Sequence, residues 1–220
     1  MKTRRAEWVV RSASMSSTTL FSTVTTHHGA AASTATRAAS VVLLAGLTAA
    51  AAQISTPLPF TQVPFTFQPM VVLLGGLALG SRLGASAQVL YLLAGIAGLP
   101  VFAASASLPQ GILRLMGPTG GYLLSYPVAA FLVGRLAERG LDRKYLTSVV
   151  AMFAGLVVIY AAGASMLAIV TRPVSTSAAA AFQNAVLTGV LPFVAADLLK
   201  LLLAAAIVPS LWKLVRPTNP

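Results

Sequence analysis

From residue 38 onward, apolar segments long enough to form membrane helices follow one another with only short polar breaks between them. A helix needs about 20 apolar residues to cross a bilayer, and fewer where it packs inside a bundle. Only 9% of the 220 residues are charged, whereas soluble domains have roughly 25%. A water-facing surface cannot be built from so few charges, so the pattern predicts an all-α, polytopic membrane protein.

We expect a bundle of about six transmembrane helices, at 38–55, 69–80, 83–102, 119–137, 145–170 and 192–212. Together they form one membrane domain over 38–215. Before the last span, 179–190 is expected to be a short helix outside the bundle or at the interface. Prolines in 57–68 and Gly, Pro and Ser residues in 104–118 predict two long irregular loops.

Residues 1–37 differ from the rest because they are polar, rich in Ser, Thr and Ala, and hold a single acid. Such a segment cannot bury enough apolar surface to offset the entropy of ordering, which predicts a disordered tail. The composition also fits an organelle transit peptide. We prefer the plainer interpretation of a bacterial tail, with translation starting at Met1 or Met15.

The composition excludes several kinds of functional site. The absence of cysteine excludes disulfides and thiolate metal sites, and His27 and His28 both lie in the polar tail. The net charge of +11 comes from basic residues scattered at segment ends, without the stripe that binds nucleic acid. We therefore expect no metal, no cofactor and no nucleic acid.

The basic residues predict an orientation. With the N-terminus in the cytoplasm, most of them fall inside, namely Arg37, Arg82, Arg139, Arg143, Lys144, Lys213 and Arg216. Only Arg114 and Arg172 then fall in outside loops, which is the positive-inside pattern. Both termini are expected in the cytoplasm, and the two long loops face outside.

Asp197 is the one acid within an apolar span, and Lys200 follows three residues later on the same helix face. A charge in the membrane costs at least ~2.5–3.5 kcal/mol on insertion scales, and such residues are by default candidates for function. The pair is either a self-satisfied ion pair that fixes the bundle or a polar clamp for a ligand. With the span starting near Pro192, it lies within reach of the outer face.

A glycine-rich run, Gly117-Pro-Thr-Gly-Gly-Tyr122, begins the fourth span, with Arg114 just before it. The free N–H groups of a helix start favour an anion, and a guanidinium suits a carboxylate. Close packing of helices is an equally good explanation for the glycines. On the first span, small residues recur at Ala45 and Ala49, and again at Gly46 and Ala50, a spacing that lets helices approach closely in lipid.

Five runs occur in order: VPFTFQ at 63–68, LGSRLG at 79–84, GLPVF at 98–102, GPTGGY at 117–122 and DLLK at 197–200. Together they resemble the BioY family, the biotin-specific capture subunits of energy-coupling-factor transporters. The resemblance covers roughly 45–212 and leaves 1–37 uncovered. It implies six helices, biotin bound near the outer face, and uptake with a partner transmembrane subunit and a pair of ATPases.

The resemblance also gives the residues roles. Asp197 would accept from a ureido N–H of biotin, and Lys200 would donate to the ureido carbonyl. Arg114 with the glycine-rich turn would hold the carboxylate, and Tyr122 would cover the apolar ring. Gln68 and Asn184 are outer-side polar groups that either reach the ligand or make ordinary loop contacts. The Ala45/Ala49 surface would meet the partner subunit.

Three alternatives stay open. A capture subunit for another vitamin would share the fold and differ in the site. An intramembrane enzyme would need more catalytic groups than one acid in the spans supplies, so we expect no enzyme. A purely structural membrane protein would leave Asp197 and Lys200 unexplained. The expected location is the plasma membrane, with the plastid envelope as the alternative.

Overall fold

The chain folds into a bundle of α-helices with one short hairpin of two-residue strands. The computed structural model describes residues 19–21, 30–104 and 110–215. The helices run over α1 Ala30–Gln53, α2 Gln68–Leu79, α3 Ser81–Ile96, α4 Ile112–Met116, α5 Gly120–Leu136, α6 Tyr145–Thr171, α7 Ala178–Gly189, α8 Leu191–Ala204 and α9 Ile207–Val215. Strands β1 (Ser55–Thr56) and β2 (Phe65–Thr66) pair antiparallel, with Ser55 opposite Thr66.

The all-α membrane fold is confirmed, and each of the six predicted segments contains a helix. Within the described residues, three stretches are long and apolar enough to cross a membrane, namely Thr34–Gln53, Tyr145–Val174 and Leu191–Leu214. Helices α2, α3 and α5 are shorter, with 12, 16 and 17 residues. Large apolar side chains such as Leu43, Leu146 and Leu203 are exposed on the outside, as lipid contact requires.

Helix α5 lies at the centre, in contact with α2, α3 and α6. Glycines permit these crossings: a Cβ at Gly76 would overlap the carbonyl of Ala130, and one at Gly121 would overlap that of Ala162. Small residues bring helix backbones together in a bilayer, where packing rather than water exclusion drives association. The glycine-rich run therefore provides close packing, one of the two explanations that its sequence left open.

Several helix boundaries differ from the prediction. Helix α3 ends at Ile96 instead of 102, because Gly98 takes a positive φ of 90° that no helix contains. The last span is two helices, α8 and α9, with a break at 205–206. Pro209 explains the break, since it lacks an N–H and its ring would clash with the carbonyl four residues earlier.

The boundary of the predicted tail at residue 37 also differs from the structure. Helix α1 already begins at Ala30, in an alanine-rich stretch of high helix propensity. Leu20 packs in the apolar core, so part of the predicted tail is attached to the bundle. The rest of it, 1–18 and 22–29 with both histidines, lies outside the described residues.

Helix α7 corresponds to the short helix predicted at 179–190. It packs along α6 with Ala181 and Ala185 buried, while Phe182 and Leu187 on its other side are exposed. The hydroxyl of Ser177 caps its start by accepting from the N–H of Ala180 at 3.0 Å. The helix thus packs against the bundle, which corrects the expectation that it lies outside; a position at the interface, the other alternative, stays a prediction.

Candidate functional site

A largely apolar cavity of about 330 Å³ lies among the 57–67 loop, the start of α2, helix α4 and the facing parts of α5, α6 and α8. Ligand pockets in proteins usually enclose about 300–1,000 Å³ and combine apolar walls with a few polar groups. The polar groups of this wall include Gln68, Arg114, Tyr122, Tyr126, Tyr160 and Asp197. Both loops that the orientation argument placed outside contribute to it.

Asp197 is the carboxylate of the wall, and its two oxygens have different partners. Oδ1 pairs with the ammonium of Lys200, one helical turn further along α8. Oδ2 accepts a hydrogen bond of 2.6 Å from the hydroxyl of Tyr160 on α6. Asp197 is only 7% exposed, and a buried carboxylate is strongly unfavourable unless it is paired and hydrogen-bonded. The two partners therefore stabilise its charge and fix its orientation.

Lys200 pairs with Asp197 but is not itself among the residues that line the cavity. Its ammonium donates to the carbonyl oxygen of Thr66 at 2.7 Å and lies 4.1 Å from the ring centroid of Phe65. Phe67 offers a second ring face at 5.2 Å. An ammonium has three N–H donors, which these groups and Asp197 engage. Lys200 thus attaches the hairpin to α8, a function that its sequence position did not suggest.

Arg114 brings a buried guanidinium to the same cavity. It is 4% exposed, and one terminal nitrogen donates to the carbonyl of Ala103 at 2.6 Å. Its Nε has no hydrogen-bond partner within the described residues. Burial lowers the pKa of Arg114 below the ordinary value, and the nearby Tyr91 partly counteracts this effect. A buried N–H without a partner is unfavourable, so this group favours an incoming acceptor such as a carboxylate.

Tyr122 and Gln68 also line the cavity, and both are fixed by hydrogen bonds. The hydroxyl of Tyr122 donates to the carbonyl of Gly189 at 2.6 Å, which connects α5 to the end of α7. Gln68 donates through Nε2 to the hydroxyl of Tyr91 at 2.6 Å. Both side chains are therefore held in place before any ligand arrives.

Comparison with known proteins identifies the family. A sequence model described as the BioY family matches residues 19–217 of this chain. The chain belongs to the BioY family. A probable biotin transporter BioY of Pyrococcus horikoshii is 40% identical over 165 residues, which cover 75% of this chain and 89% of that protein. The biotin transporter BioY of Thermotoga maritima is 38% identical over 168 residues, covering 76% and 90%.

A solved structure gives independent support for the fold. The crystal structure of the S-component for biotin from an ECF-type ABC transporter superposes with a TM-score of 0.72. The match covers 84% of this chain and 95% of that one, at 20% sequence identity. The fold described above is therefore that of this solved S-component.

Two residue predictions made for this BioY family member do not fit the geometry. Asn184 is exposed on α7 and is not part of the cavity wall, because Ala181 and Ala185 occupy the buried face of that helix. Ala45 is buried in the core, and Ala49 packs against it. A surface for a partner cannot face the core. The second small pair, Gly46 and Ala50, is the exposed one.

Tyr160 is a residue of the cavity wall that sequence reasoning missed. It lies in the long apolar helix α6, and its partner Asp197 is 37 residues away in sequence. One signal was available, since a tyrosine inside an apolar span needs a hydrogen-bond partner for its hydroxyl. Tyr126, inside the apolar helix α5, carried the same signal, whereas Phe193 gave none, because it has no hydroxyl and aromatic side chains are ordinary in packed helices.

Proposed function

We propose that this chain captures biotin in the 330 Å³ cavity, for uptake through an energy-coupling-factor transporter. One observation carries the proposal: a single, largely apolar cavity is lined by both a buried acid, Asp197, and a buried guanidinium, Arg114. Membership of the BioY family and the names of its relatives support it.

The cavity matches the chemistry of biotin group by group. A ureido ring offers two N–H donors and a carbonyl, for which Asp197 and its hydrogen-bonded neighbours are partners. The carboxylate of the valerate chain suits Arg114, whose Nε lacks a partner within the described residues. The apolar ring and chain suit the remaining wall, including Leu123 and Ile159 beside Tyr122. Gln68 is a further polar contact that this arrangement offers.

In this proposal the chain works as one subunit of a membrane transporter. A capture subunit binds its ligand and leaves the energy to others, so we assign it to transport and not to catalysis. The proposed assembly contains a transmembrane subunit and a pair of ATPases. The chain would cross the plasma membrane several times with both termini in the cytoplasm, in agreement with the distribution of basic residues.

Ligand-dependent thermal unfolding of the purified protein in detergent tests the proposal. Biotin at about 100 times its dissociation constant should add ~2.7 kcal/mol to the unfolding free energy. Thiamine and riboflavin at the same concentration should add nothing. Equal stabilisation by one of those vitamins would reassign the ligand, and no stabilisation by biotin in folded, monodisperse protein would refute the proposal.

A further inference from the structure

We propose that Tyr160 recognises the carbonyl of the ligand's ureido group, by exchanging Asp197 for the ligand as the acceptor of its hydroxyl proton. This inference rests on the proposed function and assigns a residue that determines specificity within that site. It differs from the role first expected for Lys200, which was to donate to the same carbonyl.

The geometry of the cavity wall carries the argument. Tyr160 and Asp197 both line the cavity, and their mutual hydrogen bond of 2.6 Å joins the hydroxyl to Oδ2. A urea presents an N–H beside a C=O, which is the complementary arrangement to a carboxylate beside a hydroxyl. When the ligand's N–H donates to Oδ2, it replaces the tyrosine as donor. The hydroxyl of Tyr160 is then available to the neighbouring carbonyl.

This exchange leaves Asp197 and Tyr160 both satisfied. Oδ2 of Asp197 has one donor before binding and one donor after it, and Oδ1 keeps its ion pair with Lys200 throughout. Asp197 is 7% exposed, so an oxygen left without a donor would be unfavourable. A ligand that offers only acceptors takes the hydroxyl proton of Tyr160 and leaves Oδ2 of Asp197 without that donor, and is discriminated against for that reason.

Lys200 is poorly placed for the same task. Its ammonium is not part of the cavity wall, and it is already engaged by Asp197, the carbonyl of Thr66 and the ring of Phe65. To reach a ligand it would have to release the hairpin. Lys200 is therefore a positioning residue, which orients Asp197 and holds β2 against α8.

The test combines a variant that lacks one hydroxyl with a ligand that lacks one strong acceptor. Biotin is compared with 2-thiobiotin, in which a C=S group, a weaker acceptor, replaces the ureido C=O. For the wild type we expect biotin to bind about tenfold more tightly than 2-thiobiotin. In Tyr160→Phe that preference should fall below about threefold, because biotin weakens about tenfold (~1.4 kcal/mol) and 2-thiobiotin changes little. The exposed Tyr145→Phe on α6 is the matched control and should keep the wild-type preference.

Lys200→Met distinguishes Tyr160 from Lys200 as the donor to the ureido carbonyl. Because Lys200 acts through Asp197 and the hairpin, its loss should weaken the binding of both ligands by the same factor and keep the preference for biotin. The inference is overturned if Tyr160→Phe keeps the preference, or weakens both ligands equally as a residue that only orients Asp197 would. It is also overturned if Lys200→Met removes the preference. Failure of the wild type to bind biotin would be a different result, which refutes the proposed function itself.

Discussion

Single polar residues in this chain are tolerated in an apolar bundle because each has a specific partner. Asp197, Lys200 and Tyr160 form one hydrogen-bonded group that spans α6, α8 and, through Thr66, the hairpin. Removing one member of such a group leaves another buried and unpaired, which costs more than the bond itself contributes. The group therefore has a structural task and, on its cavity side, a binding task.

Asp197→Asn should weaken biotin binding by roughly tenfold to several hundredfold, because hydrogen bonds to charged groups contribute ~1.5–3 kcal/mol and an unsatisfied partner adds a similar penalty. The amide keeps the size of the side chain but loses the charge that balances Lys200. Dissociation constants are measured on folded, monodisperse protein.

Glu138→Gln is the matched control for this substitution, since Glu138 lies outside the cavity wall and undergoes the same acid-to-amide change. It should bind biotin as the wild type does. Wild-type affinity in folded Asp197→Asn would contradict the assignment of this carboxylate to the site.

The cavity residues Arg114, Tyr122 and Gln68 were predicted through the family resemblance, and Asp197 with Lys200 was also predicted from local spacing. Asp197 and Lys200 are three apart on one helix, so their pairing was visible before the structure. The contact of Tyr160 with Asp197 depends on how α6 packs against α8, and no local pattern encodes that. Asn184 was wrongly placed in the site, because its polarity could be seen in the sequence, whereas the face of α7 that turns outward could not.

At the level of elements, the turn between α2 and α3 is held by a residue of the short π-helical segment Ala137–Leu141 that follows α5. Glu138 accepts from the backbone N–H of Ser81 at 2.8 Å and from its hydroxyl at 2.6 Å. These contacts satisfy the first turn of α3 and place a negative charge at its positive end. Gly134 allows the approach, since a Cβ there would overlap the backbone of Ser81.

Glu138 should make the stability of this turn depend on pH. Partial burial opposes its ionisation, but the hydrogen bonds from Ser81 and the Arg135 ion pair at 3.0 Å lower the pKa of Glu138 below its ordinary value of 4.5. A pKa that is lower in the folded state stabilises the protein above the unfolded value, and the contribution is lost as pH falls through the folded value.

Glu138→Gln should therefore lower the melting temperature at neutral pH, through a loss of about 0.3–1 kcal/mol. The difference from the wild type should shrink as the pH falls below 4.5. Thermal unfolding in detergent, at neutral pH and below pH 4.5, measures the difference in melting temperature between the variant and the wild type. The same difference at both pH values would show that the negative charge of Glu138 does not stabilise the fold.

Element identity was easier to predict than element ends. The apolar runs gave every helix that crosses the bundle, whereas the early start of α1 and the break between α8 and α9 depend on alanine propensity and on Pro209. The hairpin of Ser55–Thr56 with Phe65–Thr66 had no sequence signal, because two-residue strands are too short for a period of two to appear.

For the whole molecule, the two small pairs of α1 differ in exposure, with Ala45/Ala49 turned toward the core and Gly46/Ala50 exposed. Ala45 lies in the core, whereas a Cβ at Gly46 would meet nothing within 4 Å. Exposed leucines flank Gly46, with Leu43 at 64% and Leu47 at 50%. In lipid, a small exposed position between large ones lets a second helix approach closely. We therefore expect the partner transmembrane subunit to contact the Gly46/Ala50 side of α1 and not the Ala45/Ala49 side.

Gly46→Leu should accordingly reduce co-purification with the partner subunit, because the new side chain keeps the two helices apart. The melting temperature and the biotin affinity of the isolated chain should remain those of the wild type, since the position is open and lies outside the cavity wall. Val150→Leu, at a 60% exposed site on α6, is the matched control and should assemble normally.

Ala45→Leu should behave differently, with a loss of ~1–3 kcal/mol of stability from overpacking the core. Normal assembly of Gly46→Leu, together with a selective loss of assembly in a stable Ala45→Leu, would place the partner on the other side of α1.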